Sequence, residues 1–175
     1  MRIKKSVLIL TQTAMLTAVL VGWQAASAPF GNQILTGSGV NMILIVTVMV
    51  CSLTSGLCVA AVSPIIALSL GIGPQFPVLL PFIAVGNISL VLIWHFVGNI
   101  KPGEVWRAVA LLVAALTKFA VLRTFAAGIA IPLLLPNAPP ALSEIFSFPQ
   151  FVTATIGGAF ALSVIPALKR IKGNP

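Results

Sequence analysis

Acidic residues are almost missing from this sequence: Glu104 and Glu144 are the only two among its 175 residues. Paired acids for proton transfer need two carboxylates that converge, and these two fall in separate loops outside every apolar run. With one histidine, His95, and two cysteines, Cys51 and Cys58, no metal cluster of the usual spacing is available either. The cysteines lie in apolar sequence and read as small core residues. A phosphate loop of the G-x-x-x-x-G-K-[ST] kind is absent, and Gly71-Ile72-Gly73-Pro74 reads as a turn. The expectation is a protein that is not an enzyme and holds no cofactor of its own; ATP, if it drives anything here, is hydrolysed by another subunit.

Charge as a whole is also scarce. Charged residues make up 7% of the chain and apolar ones 59%, where a soluble domain carries about a quarter charged. Such a composition cannot be covered in water and points to an integral membrane protein.

The ten Lys and Arg would suggest nucleic acid if they were spread over one surface. They are not. Eight fall in three groups, Arg2, Lys4 and Lys5, then Lys101 and Arg107, then Lys169, Arg170 and Lys172, each beside a long apolar run. Basic clusters of this kind mark the cytoplasmic side of a membrane. No nucleic-acid partner is expected.

The first segment imitates a secretory signal, with a basic start and the small-residue ending Ala26-Ser27-Ala28. Its apolar part exceeds the ~7 to 15 residues of a signal core and suffices to cross a ~30 Å hydrocarbon layer, so retention as a helix is expected.

Further apolar runs occupy about 40–70, 77–98, 107–128 and 147–168. The first of these is too long for one crossing and is most polar around Ser52-Leu53-Thr54-Ser55-Gly56. Left unsplit, it would place the Lys101/Arg107 loop and the Lys169/Arg170/Lys172 tail outside, against the positive-inside rule. Split there, the chain has helices at about 6–28, 40–53, 56–71, 77–98, 107–128 and 147–168. The expected fold is therefore an all-α membrane protein, one domain over 1–175, a six-transmembrane-helix bundle with N and C termini cytoplasmic. The outer loops, about 29–39, 71–77 and 129–146, contain no Lys or Arg.

Two cations remain inside a span. Lys118 falls near mid-membrane and Arg123 about 7 Å further out, with no acidic residue in any span to pair with. At that depth a charge costs at least ~2.5 to 3.5 kcal/mol, which makes each a candidate for meeting an anionic ligand. At about 100° per residue the two side chains diverge by about 140° and do not both line one pocket. Arg123 has the alternative of snorkelling to the outer interface.

Asn41 and Asn87, the latter just after the helix-loosening Gly86, offer amides at compatible depth, for a ligand or for neighbouring helices. Trp23 and Gln24 sit where they would cover a ligand, although a Trp there also serves as an interfacial anchor. His95 lies too far toward the cytoplasmic end to join them.

On the first helix Ala14, Ala18, Gly22 and Ala26 recur every four residues and form a stripe for close helix packing, either on the protein's own helices or on a partner subunit.

The AxxxA of Ala14-Met15-Leu16-Thr17-Ala18, the stretch Gly39-Val40-Asn41, and the short second and third helices form a set. With Gly71-Ile72-Gly73-Pro74 and Pro81-Phe82-Ile83-Ala84-Val85-Gly86-Asn87, this layout resembles the substrate-binding S component of an energy-coupling factor (ECF) vitamin transporter. The resemblance implies a bacterial inner-membrane protein that binds a vitamin near its outer side. It implies docking through Ala14, Ala18 and Gly22 on a transmembrane coupling subunit driven by two ATPase subunits, with toppling in the bilayer to release the ligand inside. The ligand would lie among residues 32 to 41 and the outer halves of helices four to six, with Asn41, Asn87, Lys118, Arg123 and Trp23 as candidate contacts. A carboxylate-bearing molecule such as pantothenate, folate or biotin would suit a lone cation. Rival readings are a non-catalytic six-span scaffold of cell-shape or division machinery and a stand-alone small-solute carrier.

Overall fold

In a computed structural model, which describes residues 2–100 and 103–171, every regular element is helical. The order is α1 (Arg2–Ser27), α2 (Gln33–Val50), α3 (Leu53–Ser69), α4 (Leu80–Gly98), α5 (Glu104–Val121), α6 (Ile131–Leu134), α7 (Pro140–Ile145) and α8 (Phe148–Ile171). Five helical stretches are long and apolar enough to cross a membrane, and Leu53–Ser69 is a shorter apolar helix. That is compatible with a multi-pass membrane protein. Lys101 and Lys172, members of two of the basic groups, lie outside the described residues.

The long second apolar run does break into two helices, but at Ser52 rather than between residues 53 and 56. Ser52 is extended and its Oγ accepts from Ser55 N at 3.1 Å, so it starts α3 as an N-cap. Gly56 lies inside α3 instead, where a Cβ would come within 2.9 Å of Val48 Cβ. Its role is to let α2 and α3 approach.

α2 starts at Gln33, seven residues before the expected 40. Asn32 Oδ1 accepts from Ile34 N and Leu35 N at 2.9 and 3.2 Å and caps the helix. Gly37 and Gly39 fall in the stretch expected as an outer loop, yet they are helical contact points: a Cβ on Gly37 would meet Thr153 of α8, and one on Gly39 would collide with the Trp23 ring. Close packing between helices here overrides the low helix propensity of glycine.

Beyond α5, where residues 129–146 are expected as an outer loop, the helix continues. Residues Leu122–Ala130 form a π-helical segment that runs on into α6, making one stretch Glu104–Leu134. The wider π turn brings Leu122, Ala126, Ala127, Ala130 and Ile131 to one buried face, where Leu142 and Phe146 cover it. The short α7 occupies the remainder of that loop.

α2 and α8 lie against each other at Gly157, where a Cβ would collide with Ser38 O and stand 2.8 Å from Asn41 Cβ. α4 meets the start of the π-helical segment at Gly86, where a Cβ would lie 2.7 Å from Leu122 Cγ. α1 packs chiefly on α2 and α3 and leaves the rest of its surface open.

The apolar interior is in two parts. One is built around Leu44, Ile45, Val91, Trp94 and Ala114, the other around Leu79, Leu122, Leu142 and Phe146. Along α5 the change from one to the other falls between Ala115 and Leu122, and along α4 between Ile83 and Ile88. Lys118 and Asn87 occupy those two intervals.

Candidate functional site

The layer between the two apolar clusters is polar and buried. Lys118 is 4% exposed, and its Nζ donates to Asn41 Oδ1 at 2.6 Å and to Asn87 Oδ1 at 2.8 Å. A lysine ammonium can only donate, so both amides must turn their oxygens toward it. Their nitrogens then point away and need acceptors. Asn41 Nδ2 donates to Thr153 Oγ1 of α8 at 3.3 Å, and Asn87 Nδ2 to Ser63 Oγ of α3 at 3.2 Å.

Each hydroxyl passes its own proton to a backbone carbonyl, Thr153 to Gln150 O at 3.2 Å and Ser63 to Ala60 O at 3.3 Å. Ala60 O is free to accept because Pro64, four residues on and inside α3, has no N–H to give it. Helices α2, α3, α4, α5 and α8 are thus joined by one ammonium group.

Both partners of Lys118 are neutral amides, and the chain's only carboxylates, Glu104 and Glu144, are exposed. An ammonium has three protons, and the bonds to Asn41 and Asn87 use two of them. The third has a cavity to serve.

That cavity, of about 630 Å³, lies at the end of the bundle where α1 finishes and α2 begins, and Lys118, Asn41, Asn87 and Ser63 line it. Its volume lies in the range of small-molecule sites, roughly 300 to 1,000 Å³. Its walls come from α1 (Gln24) and the turn just after it (Ala28), α2 (Gln33, Thr36, Val40), α3 (Pro64, Ala67, Leu68) and α4 (Leu80, Ile83), with α7 (Leu142, Ile145) and the start of α8 (Gln150) completing them. The turn after α3, with Gly71 and Gly73 at φ 70° and 78°, closes another side. Gln33 Nε2 and Gln150 Nε2 both donate to Ile145 O, at 2.8 and 2.9 Å, and tie α2, α7 and α8 together at the cavity wall.

Of the candidate contacts, Lys118, Asn41 and Asn87 come together. Arg123 does not join them: it is exposed on the π-helical segment and lies outside the cavity lining, as expected from its divergence from Lys118. Trp23 is also outside the lining; its ring covers Gly39 and its Nε1 donates to Thr36 O at 3.3 Å, so it fastens α1 to α2.

Gln24, beside Trp23, takes the place in the cavity wall, 5% exposed and with Oε1 lacking a hydrogen-bond partner. A glutamine within an apolar helix is the stronger polar signal of the two. Ser63, Thr153, Gln33 and Gln150 are site residues that sequence reasoning missed. For Ser63 the signal is its position directly before a proline inside an apolar run.

Ala14, Ala18 and Gly22 are all exposed, and a Cβ on Gly22 would meet nothing within 4 Å. His95 is half-buried, near the C-terminal end of α4, and outside the cavity lining.

Among the described residues the fold is all-helical, with membrane-length apolar helices and a buried lysine lining a cavity of about 630 Å³. Comparison with protein-family models, with curated proteins and with solved structures gives no match.

Proposed function

We propose that the chain is the substrate-binding S component of an ECF-type importer in the bacterial inner membrane, capturing a carboxylate-bearing vitamin or related micronutrient from outside. In this reading the chain crosses the membrane six times with both ends in the cytoplasm, and the cavity opens outward among connections that carry no Lys or Arg. A transmembrane coupling subunit and two ATPase subunits supply the energy, and ATP is bound by them.

The observation that carries the reading is Lys118, a cation with only amide partners lining a cavity of about 630 Å³. A buried charge without a counter-ion is expensive in a membrane and marks a functional position. A carboxylate entering the cavity would supply the missing charge and accept the third ammonium proton. The exposed stripe of Ala14, Ala18 and Gly22 supports docking through α1, because small side chains let another helix come close. A cell-shape scaffold has no use for such a lysine.

Native mass spectrometry of gently purified protein tests the reading. A retained small acid, lost in Lys118→Ala while the variant remains folded, is the expected result. A bare protein indifferent to a panel of vitamins would overturn it in favour of a scaffold.

A further inference from the structure

We infer that the cavity has a second recognition point two helical turns from Lys118, where Gln33 and Gln150 together meet an N–H or O–H donor of the ligand, and that the ligand is an elongated acid whose donor stands well apart from its carboxylate. This rests on the substrate-binding reading and deepens it.

One atom fixes both side chains. Gln33 Nε2 on α2 and Gln150 Nε2 on α8 donate to Ile145 O at 2.8 and 2.9 Å. A carbonyl only accepts, so each amide must turn its nitrogen to Ile145 and its oxygen away. The two bonds occupy both lone pairs of Ile145 O. Neither glutamine oxygen has a partner among the described residues, and neither is enclosed: both glutamines are half-buried and line the cavity. The pair therefore presents two acceptors held in place before any ligand arrives, which spares the ordering cost of binding.

The register of α2 against α8 gives the spacing. A Cβ on Gly37 would meet Thr153, and one on Gly157 would meet Asn41, so the two helices advance together, four residues for four. Gln150 thus stands level with the first turn of α2, beside Gln33. Gln33 lies eight residues before Asn41, the partner of Lys118, which is about 12 Å along the helix axis. Side chains on α2 all lean toward its N-terminal end, so the separation carries over to the amides. In the interval the walls are chiefly apolar, with Val40, Leu68, Leu80 and Ile83. Taking about 3 Å of contact at each end leaves about 6 Å between carboxylate and donor, or about five bonds of extended chain.

The test uses the purified full chain in lipid nanodiscs and two acids of one molecular formula. In 5-(butanoylamino)pentanoate the amide nitrogen lies five bonds from the carboxyl carbon, and in N-heptanoylglycine two. Chain length, charge and the amide itself are the same, so only the place of the donor differs.

Expected is that the pentanoate binds at least about tenfold more tightly than the glycine compound, the factor one or two well-placed hydrogen bonds supply. Gln33→Leu with Gln150→Leu should bring the pentanoate down to the level of the glycine compound, whose own affinity should hold and so report an intact cavity. The wild-type ranking stands as a test without the variant, so a misfolded double substitution does not spare the inference.

Equal affinities, a preference for the glycine compound, or a preference for the pentanoate that persists in the double variant each overturns it. So does failure of both acids to bind. If native mass spectrometry then still finds a retained acid, only this inference falls. If the protein neither retains nor binds any small molecule, the substrate-binding reading falls with it.

Discussion

Ser63 supplies to Ala60 O, at 3.3 Å, the hydrogen bond that Pro64 is unable to make. The proline thereby fixes the direction of the Ser63 proton, and the hydroxyl oxygen is left to accept from Asn87 Nδ2 at 3.2 Å. Asn87 in turn presents its oxygen to Lys118. An interruption in one helix orients a side chain on another.

Ser63→Ala should therefore leave a buried Asn87 nitrogen without an acceptor and lower stability by about 1 to 3 kcal/mol. Adding Pro64→Ala should return a backbone donor to Ala60 O but not repair Asn87, so recovery should be partial. Thermal unfolding in detergent measures both. Full recovery in the double variant would show that the backbone bond, and not the link to Asn87, is what Ser63 contributes.

Lys118→Met removes a buried charge that only amides compensate but leaves Asn41 Oδ1 and Asn87 Oδ1 without their donor, so the two effects offset and its melting temperature should change little. It should retain no acid. Asn87→Leu should be the more destabilising of the two, since it keeps the charge and leaves the ammonium with one partner in place of two. A melting temperature that falls for Lys118→Met and holds for Asn87→Leu would contradict the assignment of the charge as a functional cost.

Gly157→Ala should be destabilising by about 1 to 3 kcal/mol, the usual range for forcing atoms into a filled interior. The obstacle is Ser38 O and Met42 N, backbone that cannot swing aside, and the added carbon would also stand 2.8 Å from Asn41 Cβ. Ligand retention should fall with stability. Gly22→Ala is the matching control: nothing lies within 4 Å, so it should raise helix stability by up to about 1 kcal/mol and leave binding alone.

The long apolar helices are legible in the sequence because nothing but a membrane-length helix accommodates such runs. Lys118, Asn41 and Asn87 stand out for the same reason, as polar groups where apolar ones are the rule. The N-terminal turns of α2 are hidden because Gly37 and Gly39 carry a turn signal locally, while their actual role, close contact with Thr153 and Trp23, depends on chain that is far away or folded back. The continuation of α5 through Leu122–Ala130 is hidden because α and π turns share the same residues; what selects the wider turn is the buried face against Leu142 and Phe146. The exchange of roles between Trp23 and Gln24 turns on helix phase, which a one-residue uncertainty is enough to reverse.

The exposed face of α1 carries the prediction furthest from the cavity. Ala14, Ala18 and Gly22 line up along it, Met15 and Val19 beside them are 66% and 47% exposed, and α1 leans chiefly on α2 and α3. Ala14→Phe with Ala18→Phe adds bulk only on the open side, so the fold and the Lys118 site should be untouched and an acid retained by the parent should still be retained. What should disappear is copurification with a coupling subunit, because backbone approach over small residues is what stabilises helix pairs in lipid. Coexpression with an energising module, followed by affinity purification and native mass spectrometry, reads both quantities from one sample. A complex that survives the double substitution would move the docking surface off α1, whereas loss of acid and partner together would mean that α1 shapes the cavity and not the interface.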